Sequence, residues 1–135
     1  MHFELPQKIL FKHCDPAGIV FYPRFFEIIN DTVETMFNDL LEWPFEQMHP
    51  TSGVPTAELN VRFKTPARHG DRLVLGLELT KLGRSSLSLT TTARRGREVC
   101  LEVDQVLVCV GSDGRPQAWP EKVRNKIKVV MENSQ

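Results

Sequence analysis

The 135-residue chain holds 41% hydrophobic and 25% charged residues, a balance that excludes a disordered segment and suits one globular domain spanning residues 1–135. Seventeen Lys and Arg balance seventeen Asp and Glu, so the overall charge gives no reason to expect a nucleic-acid partner or an anionic membrane. No apolar run approaches the ~20 residues of a membrane-spanning helix, so no membrane insertion is expected.

The first eleven residues mix Glu4 and Lys8 among apolar ones and lack the order of a signal peptide. The three cysteines, Cys14, Cys100 and Cys109, are odd in number and show no C-x-x-C spacing. Reduced thiols and a cytoplasmic location are therefore expected, with no disulfide framework and no metal site.

In chain order, residues 4–13 read as a first strand that ends in the turn chemistry of Asp15-Pro16-Ala17-Gly18. A helix is expected from Pro23 to Leu41. Its apolar residues Phe25, Phe26, Ile28, Ile29, Val33, Met36, Phe37, Leu40 and Leu41 recur at three- and four-residue spacing. Trp43-Pro44 closes it, because a residue before proline avoids the helical region. The sequon Asn30-Asp31-Thr32 falls inside this helix and is read as chance. Residues 44–55 read as a loop marked by Pro50 and Gly53.

Beyond the loop the period changes from 3.6 to 2. Ala57, Leu59, Val61 and Phe63 form one alternating series, followed by Leu73, Leu75, Leu77 and Leu79, and then by Leu87, Leu89, Thr91 and Ala93. A last series runs through Val99, Leu101, Val103, Gln105, Leu107 and Cys109. Turns are expected at Pro66–Asp71, Gly83–Ser85, Arg95–Arg97 and Ser112–Gly114, and a tail helix from Pro120 to about Met131. The fold class is α+β: an antiparallel meander with one helix covering its apolar face. Sheet edges of this length invite pairing with a second copy, so a homo-oligomer is expected.

The chemistry concentrates between Phe11 and Glu27. An acidic side chain, Asp15, sits in a proline–glycine turn just upstream of a helix N-terminus. First-turn amides have no internal partners and carry partial positive charge, so they stabilise an oxyanion. A nearby carboxylate acts as base or nucleophile, and the two together suit acyl transfer.

The run Cys14-Asp15-Pro16-Ala17-Gly18-Ile19-Val20, followed by Tyr22-Pro23, resembles the active-site signature of the 4-hydroxybenzoyl-coenzyme A thioesterases and of their wider acyl-coenzyme A thioesterase relatives. The resemblance extends through the strand–helix–strands order, the Pro66–Asp71 turn and Arg84-Ser85-Ser86. It implies a hot-dog fold, an antiparallel five- or six-stranded sheet wrapped around one long central helix. It implies a dimer with sites at the subunit interface, often paired into a dimer-of-dimers tetramer. No cofactor is implied, coenzyme A being part of the substrate.

Carried over residue by residue, the resemblance makes Asp15 the catalytic carboxylate, as nucleophile or as general base, and the Tyr22 backbone amide the group that polarises the thioester carbonyl. Gly18, Arg84, Ser85 and Ser86 fall among the substrate and coenzyme A contacts. Ser85 stands where the 4-hydroxybenzoyl subgroup has a lysine, a departure that bears on the phosphate contacts and on an aromatic substrate. The resemblance implies an acyl group that is aromatic or of short to medium length.

Other readings of these residues are weaker. His13, two residues from Asp15 in an extended strand, shares its face and either assists proton transfer or packs at the strand end. His13, Cys14 and Asp15 alternate in direction and do not converge on a metal. Cys14 reads as a structural thiol. Arg94, Arg95 and Arg97 around Gly96 form a solvated hairpin tip, with coenzyme A phosphates as the alternative partner. A hydratase or dehydratase of acyl thioesters is disfavoured because the predicted helix contains no histidine, and a non-catalytic acyl-coenzyme A-binding module leaves Asp15 unexplained.

Overall fold

The computed structural model describes residues 2–49 and 51–133. In chain order the elements are β1 (Phe3–Lys8), a 3₁₀ turn (Phe11–His13), α1 (Tyr22–Asp39), α2 (Phe45–Met48), β2 (Ser52–Gly53), β3 (Thr56–Phe63), β4 (Arg72–Leu82), β5 (Ser86–Arg95), β6 (Glu98–Val108), β7 (Val110–Gly111) and α3 (Glu121–Glu132). The five long strands make one antiparallel sheet in the order β1-β4-β5-β6-β3, and β2 pairs with β7 in a short separate ribbon.

The helical stripe and the alternating strands meet as the sequence predicts. From α1, Phe25, Ile28, Ile29, Val33, Met36 and Phe37 are buried. They face Leu73, Leu75, Leu77 and Leu79 of β4, Leu87 and Leu89 of β5, and Leu101, Val103 and Leu107 of β6, none of which exceeds 2% exposure. Burying each such side chain stabilises the fold by roughly 1.5–3 kcal/mol, which is why the sheet curls around this helix. Beyond the far end of α1, α3 buries Val123 and Ile127 in a cluster with Phe37 and Trp119.

Three expectations need correction. The first strand stops at Lys8, not at residue 13. The Leu10 amide donates to His13 Nδ1 (2.9 Å) and the His13 amide to the Leu10 carbonyl (3.0 Å), so the imidazole closes a 3₁₀ turn in place of further strand. The four later strands are not a simple meander either: β3 lies beside β6, at the opposite edge from β1. The eight residues Lys64–Asp71 between β3 and β4 exceed a hairpin loop and carry the chain across the sheet. Finally, the loop expected over residues 44–55 contains α2 and β2. Its marker Pro50 lies outside the described residues.

Candidate active site

Asp15 occupies the first position of a tight turn. The Gly18 amide donates to the Asp15 carbonyl (2.9 Å), and Gly18 has φ +80°, a conformation open to glycine at little cost. Asp15 first, proline second and glycine fourth is the residue preference of a type I turn. The next hydrogen bond, from the Asp15 amide to the Ile19 carbonyl (3.0 Å), makes this the tip of a small hairpin, with Cys14 opposite Val20. One carboxylate oxygen, Oδ1, accepts from the Ala17 amide (2.9 Å). Oδ2 has no partner among the described residues, and the side chain is half-buried.

The returning arm of the hairpin leads directly into α1. The Phe21 amide donates to the His13 carbonyl (2.9 Å), so the Asp15 turn and the start of the helix are two ends of one short antiparallel ladder. Phe21 is the N-cap, yet no side chain caps the helix and its first turn holds no acidic residue. Pro23 has no N–H to offer and the Arg24 amide returns to the Phe21 carbonyl (2.8 Å). The Tyr22 amide is left without an acceptor among the described residues, at the positive end of an 18-residue helix.

A cavity of about 320 Å³ opens at the start of α1, its lining including Ile19, Val20, Tyr22, Phe25, Phe63 and Lys64. The rings of Tyr22 and Phe63 meet edge-on at 6.2 Å. Asp15 is not part of this wall in one chain; Ile19 and Val20 of its own hairpin are. Phe63 and Lys64 are functional candidates that the strand pattern does not single out, because only the α1–β3 juxtaposition brings them here. The available signal was Phe63 itself, a large apolar residue at a strand end that stays 52% exposed.

His13 does not lie in an extended strand with Asp15, so the shared-face argument does not apply. It is 5% exposed, its Nδ1 accepts from the Leu10 amide, and the proton is therefore assigned to Nε2. Burial, chiefly, holds its pKa below the ordinary histidine value. Cys14 contacts the Leu10 carbonyl through Sγ at 3.6 Å, and burial followed by the Asp15 and Asp71 charges pushes its thiol up, which keeps it protonated and weakly nucleophilic. Both backbone groups of Gly18 are engaged, its amide by Asp15 and its carbonyl by the His69 amide (3.1 Å).

Arg84, Ser85 and Ser86 lie at the β4–β5 turn. The Asp15 hairpin is joined to the segment before β4, through the Ile19–Arg68 bridge and the bond from the Val20 amide to the Ala67 carbonyl (2.8 Å). Those two places are at opposite ends of the 11-residue β4, roughly 30 Å apart at ~3.3 Å per residue. One chain does not bring them together. Of the arginine trio, Arg94 and Arg97 are exposed, whereas Arg95 pairs with Asp71 and Glu98 and ties the hairpin tip to the turn before β4.

Among the described residues no group of three or more His, Cys, Asp and Glu side chains is arranged to hold a metal ion, and no helix is long and apolar enough to cross a membrane.

An amide-headed helix against a curled antiparallel sheet is the hot-dog architecture, and comparison with known proteins places the chain within it. Residues 9–127 match the model of the thioesterase-like superfamily. The chain belongs to that family, and its fold is the hot-dog fold. A Staphylococcus aureus protein solved in complex with coenzyme A superposes with a TM-score of 0.91 at 15% identity, covering 98% of this chain and 85% of that one. A 1,4-dihydroxy-2-naphthoyl-coenzyme A thioesterase from Synechocystis gives 0.83 at 15% identity, covering 97% and 96%. A probable thioesterase from Bartonella henselae gives 0.82 at 12% identity, covering 87% and 98%. At these identities the superpositions speak for the fold alone. A comparison with curated proteins finds no match to the sequence.

Proposed function

We propose that this enzyme hydrolyses its acyl-coenzyme A thioester with Asp15 as the catalytic carboxylate and the Tyr22 amide as the oxyanion donor. The observation that carries the reading is the uncapped start of α1, whose Tyr22 amide is without an acceptor among the described residues and whose Tyr22 and Phe25 line an apolar cavity together with Ile19 and Val20 of the Asp15 hairpin. As negative charge grows on the thioester oxygen, that amide and the helix dipole stabilise it, an effect worth ~10²–10³-fold for one donor. Asp15, with Oδ2 unengaged, either attacks the carbonyl carbon, expelling coenzyme A thiolate and leaving a mixed anhydride that water then hydrolyses, or draws a proton from water that attacks the carbonyl and expels the thiolate. In both routes the thiolate is protonated from the proton that the water gives up. His13 keeps at most a supporting part in proton transfer, through the Nε2 edge of a ring whose Nδ1 is already engaged.

The working form is a homodimer, the unit from which a tetramer would be built. β3 is an edge strand whose inward residues Leu59 and Phe63 remain 47% and 52% exposed, next to Phe21 and Tyr22 at 48% and 59%. An edge that long and that apolar is normally covered. A second copy along β3 covers it, closes the cavity and offers its own Arg84–Ser86 turn to the nucleotide end of coenzyme A, which one chain does not manage. Gly18 then acts by shaping the turn that presents Asp15. The cavity accommodates an aryl or a short-to-medium acyl group, in keeping with the aromatic esters named for the Synechocystis thioesterase and for a similar gentisyl-coenzyme A thioesterase.

The test is release of free thiol from aromatic, short, medium and long acyl-coenzyme A esters by the purified protein. Turnover of one class well above buffer is expected. Tight binding of the esters with no thiol released would overturn the proposal.

A further inference from the structure

Side chains alternate along a strand, so the residues between the buried leucines of β4 point away from α1, and their cross-strand partners share that outer face. At the end nearer the Asp15 hairpin, Lys8 stands opposite Arg72, and one rung further Arg94 stands opposite Val74. The next three rungs are acidic: Glu4 and Glu102, then Glu78 and Asp104, then Glu58. The cations in that region, Arg62 and Lys64, are already held by Glu102 and Asp104. Lys8, Arg72, Arg94, Glu4, Glu58 and Glu78 are all exposed, and none has an ion-pair partner among the described residues. Like charges placed directly opposite each other destabilise a sheet, so a face divided in this way calls for an explanation.

The rest of the face is made for close approach. Its uncharged positions include Val74, Gly76, Ser88, Thr90, Thr92 and Val106, none larger than valine. A second sheet can stack on such a surface at ~10 Å. Five strands at ~4.8 Å and about nine residues at ~3.3 Å give the face roughly 700 Å², near the ~800 Å² that each partner buries in a stable interface.

The charges also select an orientation. Arg72 and Glu78 lie six residues apart on β4, about 20 Å. A two-fold axis across the strands brings the cationic end of each copy over the acidic end of the other, and every contact is made twice. An axis along the strands lays each rung over itself, with Glu78 towards Asp104 and with Lys8 and Arg72 facing no carboxylate. The first arrangement is the complementary one. It also seats the exposed Gly96-Arg97 tip of the β5–β6 hairpin over a hollow of about 700 Å³ on this face, whose border includes Glu58 and Asp104.

We propose that the outer face of the sheet pairs with the same face of a second copy about an axis across the strands, so that Lys8, Arg72 and Arg94 of each copy meet the Glu58, Glu78 and Asp104 end of the other. In a protein already paired along β3, this contact joins two dimers. It is independent of the thioester chemistry.

The experiment is light scattering on the full chain and on two double variants, Arg72→Glu with Arg94→Glu and Glu58→Lys with Glu78→Lys, each checked for wild-type circular dichroism. All four positions are exposed, so the fold should tolerate the changes. The wild type is expected at the mass of four chains and each variant alone at half that mass, because like charges then face each other across the axis. An equimolar mixture of the two variants should return to the full mass, since one then carries the charge that the other lacks. A wild-type mass that neither variant lowers overturns the proposal and leaves the face to water or to another partner. A mixture that stays at half mass overturns it as well, because the loss is then not one of charge matching. A wild type of two chains whose variants fall to one keeps the outer-face contact and refutes the β3 dimer, which Leu59→Lys tests separately.

Discussion

A negative charge placed at the start of α1 should move stability and turnover in opposite directions. Phe21 is the N-cap, with φ −71° and ψ 120°, the extended conformation that capping residues adopt, and it is 48% exposed. Phe21→Asn and Phe21→Asp lose the same packing and supply the same capping oxygen. They differ only in charge. Next to the helix dipole that charge should stabilise Phe21→Asp over Phe21→Asn by about 0.3–1 kcal/mol, or about 1–4 °C in Tm. It also lies close to the oxyanion that the Tyr22 amide is proposed to hold. At about 5 Å and an effective dielectric of about 20, like charges oppose each other by roughly 3 kcal/mol, which is about a 10²-fold fall in kcat.

The assay is kcat at saturating ester and low salt for both variants, beside their thermal midpoints. Phe21→Asp should be the more stable and the slower. If the two variants turn over equally while differing in Tm, the charge is felt by the helix and not by the transition state, and the oxyanion site lies elsewhere.

Two further expectations concern assembly and pH. Leu59→Lys puts a charge on the exposed inward face of the β3 edge, so it should leave circular dichroism intact, halve the mass seen by light scattering and reduce turnover; an unchanged dimer would place the interface on another surface. The Arg68 amide first (2.8 Å), then Arg95, hold the Asp71 carboxyl below the ordinary carboxylate value. A depressed pKa contributes stability that is complete above the unfolded value and is lost as pH falls through the folded one. The wild-type advantage over Asp71→Asn in urea midpoint should therefore be full at neutral pH and shrink on acidification below the ordinary carboxylate range, and a constant difference across that range would contradict the pairing.

What could be read from the sequence was whatever depends on periodicity and local turn chemistry. The α1 stripe, the alternating leucines of β4 and β5 and the Asp15–Gly18 turn all stand where they were expected, because 3.6 and 2 are distinct periods and Asp-Pro-x-Gly has one favoured geometry. The tail helix, expected from Pro120 to Met131, occurs as Glu121–Glu132.

What could not be read depends on distant partners. Nothing in residues 56–63 says which strand they will join, so the crossing of Lys64–Asp71 and the arrival of Phe63 beside Tyr22 are tertiary facts. The early end of β1 turns on one imidazole reaching back three residues to a backbone amide. Arg84–Ser86 appeared near the site only by analogy, and their place at the far end of β4 keeps them apart from Asp15 within one chain.

The most direct measurement is kcat of Asp15→Asn on the best acyl-coenzyme A ester. Asparagine keeps the Oδ1 acceptor that the Ala17 amide uses, so the turn and the thermal midpoint should persist while the carboxylate chemistry is lost. Turnover should fall by ~10²–10⁴-fold. A correctly folded Asp15→Asn protein that hydrolyses the ester at near wild-type rate would contradict the account at its centre.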